Sequence, residues 1–169
     1  MKVAKVLLAV GGALALQTTI ARYVHGTMAV DLVLVAVVYV ALTSGPAAGL
    51  LTGAIAGLVQ DALVASPVIG IGGLAKTIVG FLAGIIGTQF IVTHSLPRFV
   101  VFFSATALHA VVFMGLYTLL DLRHYGAPYA AVAGQGVGNA VVGVVAFQLV
   151  ELLPGAMERR RAQGSRIHR

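Results

Sequence analysis

The residues able to do chemistry are few, and they lie inside apolar surroundings. Asp61 and Lys76 stand on either side of Ser66-Pro67-Val68-Ile69-Gly70-Ile71-Gly72-Gly73, a turn-rich link. An antiparallel hairpin brings both side chains to similar depth, so an Asp61–Lys76 ion pair near one membrane surface is expected; the alternative is that each snorkels separately to water. Asp31 follows Thr27 at the start of another apolar run, where a carboxylate is favoured at a helix N-terminus. His109 is alone in a run without charge. It reads as a neutral core residue, with a proton relay as the rarer reading. Glu151 is placed near the headgroups and expected to be solvated. A charge at the centre of a bilayer costs about 2.5–3.5 kcal/mol, so each of these groups needs a structural reason.

Catalytic constellations are absent. The sequence has no G-x-S-x-G elbow, no H-E-x-x-H zinc motif and no P-loop. Histidines 25, 94, 109, 124 and 168 are never four apart, and there is no Cys. Gly134, Gly136 and Gly138 fit G-x-G-x-x-G poorly and read as packing. Asp31, Asp61 and Asp121 fall on separate segments, without the acidic cluster that metal-dependent phosphotransfer wants. No enzyme, cofactor or metal is expected. A small-molecule pocket is the harder reading to dismiss, since Arg22, His25, Asp61, Lys76, Arg123, His124 and Tyr125 gather on one side. No inverted repeat accompanies them.

The elements that must carry these groups follow from composition. Of the 169 residues, 59% are hydrophobic and 9% are charged, against about 25% charged in a soluble domain. Mean hydropathy is +1.00. So few charges cannot cover the surface of a soluble particle this small. An all-α polytopic membrane protein remains. Its apolar runs are continuous instead of alternating, which selects helices over barrel strands. Six spans are expected near 3–21, 28–43, 46–65, 74–93, 98–121 and 130–153. The run 32–60 contains Ser44-Gly45-Pro46. Pro46 suits the first position of a helix, with Ser44 or Gly45 as its cap. A tight turn between two helices is expected here, and one long kinked helix is the alternative.

Lys and Arg set the orientation. With the N-terminus inside, the inner segments carry Lys2, Lys5, Arg98, Arg159, Arg160, Arg161, Arg166 and Arg169, and the outer loops carry Arg22 and Arg123. That is a positive-inside asymmetry with both termini in the cytoplasm. A cleaved signal peptide with Ala13-Leu14-Ala15 is the competing reading of the N-terminus. Residues 1–157 read as the membrane domain. Pro154 is expected to end the last helix, and 158–169 form a basic cytoplasmic tail. The Arg159, Arg160 and Arg161 cluster would rest on anionic headgroups. A nucleic-acid role is not expected of so short a tail.

Small residues recur at helical spacing. Gly45, Gly49, Gly53 and Gly57 lead by steps of four to Asp61; Lys76, Gly80 and Gly84 lead to Thr88. Such rows let helix backbones approach closely. Spans three and four are therefore expected to pack through them. Gln135, Asn139 and Gly143 form a third row, on span six. Because the first two rows serve each other, this stripe is the candidate surface for docking a single-span partner.

Asp31-Leu32-Val33-Leu34 through Ala41, Gly45-Pro46, the row Gly49, Gly53, Gly57 with Gln60-Asp61, and Gly70, Gly73-Leu74 with Lys76-Thr77-Ile78-Val79-Gly80-Phe81 together resemble the MreD family of bacterial rod-shape proteins. Small size, six spans and Asn139 agree. Ala29-Val30 departs from the pattern, where a Pro before Asp31 is expected. The resemblance implies a noncatalytic inner-membrane subunit of the cell-elongation machinery. Implied partners are MreC, the actin-like MreB filament, and the glycosyltransferase–transpeptidase pair that makes lateral-wall peptidoglycan. The implied fold is similar to the six-helix substrate-binding component of energy-coupling-factor vitamin transporters. A vitamin-binding subunit of such a transporter is the alternative function.

Overall fold

The computed structural model describes residues 3–23, 30–64, 66, 68–90, 94–122, 126 and 128–164. They form six helices: α1 (Val3–Tyr23), α2 (Leu32–Ser44), α3 (Pro46–Leu63), α4 (Ile71–Gln89), α5 (Ser95–Leu119) and α6 (Tyr129–Gly164). Helices α3, α4, α5 and the Tyr129–Leu152 part of α6 are long and apolar enough to cross a membrane. The apolar stretches of α1 (Val6–Thr19) and α2 are shorter.

Helix α2 is the axis of the bundle. It touches all five other helices, and Val33, Leu34, Val35, Ala36, Val37, Val38, Val40 and Ala41 are all buried. A helix apolar on every side belongs inside. Gly45 ends it at φ 89°, a backbone region favouring glycine. Pro46 then opens α3. The linkage is a turn and not a kink, because the Gly45 N–H closes α2 on the Ala41 carbonyl at 2.9 Å while the Gly45 carbonyl accepts from Gly49 at 3.0 Å.

The glycine rows of α3 and α4 face each other. A Cβ at Gly49 would fall on the Gly80 carbonyl, and one at Gly53 on the Lys76 carbonyl. At Gly57 it would lie 2.5 Å from the Gly73 Cα, and at Gly84 it would meet Pro46. The two backbones are in direct contact, which only residues without a side chain permit.

One boundary needs correcting. Helix α6 does not stop at Pro154 but runs on to Gly164. Proline keeps a helical φ at the cost of its own N–H bond and of crowding the carbonyl four residues before it, and the Met-Glu-Arg-Arg-Arg-Ala-Gln segment at 157–163 consists of good helix formers. The backbone of Arg159, Arg160 and Arg161 thus extends α6. Their side chains, and Arg166 and Arg169, lie outside what is described.

Candidate functional site

The cap and first turn of α2 are buried, so its free N–H groups need protein partners. Three side chains supply them. The Asp31 N–H donates to Asn139 Oδ1 at 2.8 Å, the Leu32 N–H to Gln17 Oε1 at 2.9 Å, and the Leu34 N–H to Asp31 Oδ1 at 2.9 Å. Asn139 Nδ2 in turn donates to Thr106 Oγ1 at 3.0 Å, whose hydroxyl donates to the Phe102 carbonyl at 2.9 Å. Helices α1, α2, α5 and α6 are thereby tied at one buried point.

Lys76 completes the cluster. Its Nζ lies 2.8 Å from Asp31 Oδ2 and 3.3 Å from His109 Nε2. The His109 ring stacks on Phe113, centroids 5.7 Å apart. Asp31, Asp61, Lys76, His109 and Asn139 are each at most 9% exposed.

The expected Asp61–Lys76 ion pair is therefore not formed. Asp61 Oδ2 instead accepts from the N–H groups of Gly70, Gly72 and Gly73, at 2.9, 3.0 and 3.3 Å. It caps the start of α4 from the end of α3, where the helix dipole favours an anion. Depth alone did not decide the pairing. The Lys76 carbonyl faces Gly53, while the Lys76 side chain reaches α2. Asp31 serves both as the expected N-cap and as the counter-ion.

The Gln135–Asn139–Gly143 stripe is also corrected. Asn139 is wholly buried, and a Cβ at Gly143 would stand 2.6 Å from the Phe102 ring. At Asn139 and Gly143 the stripe is internal packing and offers no docking surface, while Gln135 is half-buried and lines a cavity. Gly143→Leu is expected to lower stability by about 1–3 kcal/mol through overpacking, read as a lower melting temperature in detergent. An unchanged melt would place Gly143 on a free face.

At the other end of the bundle, sequence reasoning missed a clamp. The Arg98 guanidinium is bidentate to Glu151, through Nη1 to Oε2 at 3.1 Å and Nη2 to Oε1. It also lies 4.4 Å from the centre of the Phe147 ring. Glu151 is thus paired, not merely solvated. A carboxylate 53 positions from its arginine leaves no local sequence signal.

A cavity of about 280 Å³ opens beside the first cluster, lined among others by Asp31, Gln60, Asp61, Lys76, His109 and Gln135. Of the outer-side gathering read in the sequence, it contains Asp61 and Lys76. His25, Arg123, His124 and Tyr125, and the side chain of Arg22, lie outside the described residues. Among the described residues no group of three His, Cys, Asp or Glu could hold a metal ion. What the cluster can do is bind a polar group and hold helices in register.

Residues 3–153 match the family described as rod shape-determining protein MreD. The chain belongs to the MreD family. The match takes in all six helices, up to the inner part of α6. No curated protein and no solved structure matches the chain. An MreD-family chain with four helices long and apolar enough to cross a membrane is a multi-pass membrane protein of rod-shape determination.

Proposed function

We propose that this chain is a noncatalytic subunit of the bacterial cell-elongation machinery. It sits in the cytoplasmic membrane with six spans and both termini inside. It acts by binding MreC, beside MreB and the glycosyltransferase–transpeptidase pair that makes lateral-wall peptidoglycan. The observation that carries this reading is the family match over residues 3–153. Six spans are supported by the capping of α2. Its 13 residues extend about 20 Å, short of the ~30 Å hydrocarbon core. A helix buried in protein and capped by protein groups can end below the surface. The eight-to-two distribution of Lys and Arg supports internal termini, with the basic tail on anionic headgroups.

Copurification in mild detergent tests the partner: MreC is expected to stay with the chain. With no native Cys, single cysteines report topology directly. Labels at 94–97 and 160–169 are expected to react from the cytoplasm and those at 66–72 from outside. An external C-terminus would end the six-span reading. One observation, the 280 Å³ cavity, favours the alternative of a vitamin-binding transporter subunit. That reading requires an energising ATPase complex to copurify in place of MreC.

A further inference from the structure

The cavity wall sets two carboxylates, Asp31 and Asp61, against one ammonium, Lys76. Lys76 belongs to Asp31, 2.8 Å away. Asp61 has no cation partner among the described residues. Three backbone N–H groups reach its Oδ2. A helix start supplies about half an elementary charge, so these groups satisfy that oxygen without cancelling the carboxylate. Asp61 is 5% exposed, and a buried anion without a cation is costly. Its second oxygen, Oδ1, accepts no hydrogen bond among the described residues. The half-buried Gln135 amide in the same wall makes none either. Neither group is sealed off: the unpartnered side-chain atoms without accessible surface are Ser44 Oγ and Gln60 Oε1. Two acceptors, Asp61 Oδ1 and Gln135 Oε1, are thus open on one cavity. Val64, Ala110, Phe113 and Met114 add apolar wall. At ~30 Å³ per water, the cavity has room for about nine waters, far more than a bare metal ion fills.

We propose that the cavity binds a small organic cation, a primary ammonium on a short hydrocarbon body. The ammonium donates to Asp61 Oδ1 and to the Gln135 carbonyl, and it gives Asp61 its missing counter-ion. The hydrocarbon lies against Val64, Phe113 and Met114. The ligand comes from the side of the α4 N-terminus, the outside in the orientation given above. The site does not depend on which protein partner the chain binds, and its failure would leave the copurification test of MreC untouched.

Pentylammonium and pentanol share a carbon skeleton and differ in charge. Each is titrated calorimetrically into the full chain in phosphatidylcholine nanodiscs, with the heat of empty nanodiscs subtracted. Pentylammonium is expected to saturate one site and to bind about tenfold tighter than pentanol, a difference of about 1.4 kcal/mol. Asp61→Asn keeps an oxygen for the N–H groups of Gly70, Gly72 and Gly73 and removes the charge. It is expected to abolish the preference for the ammonium. Gln135→Leu breaks no existing hydrogen bond among the described residues and is expected to weaken pentylammonium binding about tenfold, which decides the matter even where Asp61→Asn does not fold. A cysteine in place of the cavity-lining Met114 is expected to be shielded from an external maleimide by pentylammonium and not by pentanol. Equal binding of the two probes by the unmodified chain, or no saturable binding of pentylammonium, would overturn the proposal. So would full pentylammonium affinity in folded Gln135→Leu, an undiminished preference in folded Asp61→Asn, or displacement of pentylammonium by an equal concentration of sodium.

Discussion

Lys76→Met is expected to destabilise the protein by about 3–5 kcal/mol, because it leaves the Asp31 carboxylate buried without its cation. Neutral polar contacts between membrane helices average only ~0.6 kcal/mol, so an effect of this size identifies a lost ion pair. The partner is tested by a double-mutant cycle on thermal unfolding in detergent. Asp31→Asn combined with Lys76→Met is expected to recover much of the loss, since two uncharged groups replace a matched pair. Asp61→Asn combined with Lys76→Met is expected to be nearly additive, because Asp61 spends its acceptor on Gly70, Gly72 and Gly73. Strong coupling of Lys76 to Asp61, and none to Asp31, would contradict the geometry described.

Gly53→Ala is expected to be nearly as damaging, for a steric reason. The new methyl would occupy the position of the Lys76 carbonyl and lie 2.9 Å from the Thr77 nitrogen. Both are backbone atoms, which cannot rotate away as a side chain can. Separation of α3 from α4 would also displace Lys76 from Asp31. A loss of about 3 kcal/mol or more is expected, at the upper end for overpacking, seen as loss of a monodisperse folded species in detergent. Gly12→Ala is the control. Its Cβ would have nothing within 4 Å, and exchanging Gly for Ala in a helix is worth up to about 1 kcal/mol of added stability. Equal melting of the two variants would show that the α3–α4 contact is not held by its glycines.

The sequence by itself determined the membrane class, the positions of the helices, the turn at Gly45-Pro46 and the family. These are local or compositional. A long continuous apolar run reads as a helix wherever it packs, Pro46 is preset for the first position of a helix, and glycines four apart share a face whatever that face meets. Tertiary structure alone decided which polar groups meet. Asp31 and Lys76 are 45 positions apart, Arg98 and Glu151 53, and Asp31 and Asn139 108. Their meeting depends on how far each helix is rotated about its axis and on α2 lying at the centre. Asp61 and Lys76 are closer in sequence and similar in depth. The direct contact of the two glycine rows fixes the rotation of α4, and in that rotation the Lys76 side chain reaches α2. The stripe on α6 shows the same limit. Gln135, Asn139 and Gly143 announce a face suited to close packing, and only the position of Phe102 against Gly143 decides that its neighbour is this chain's own α5.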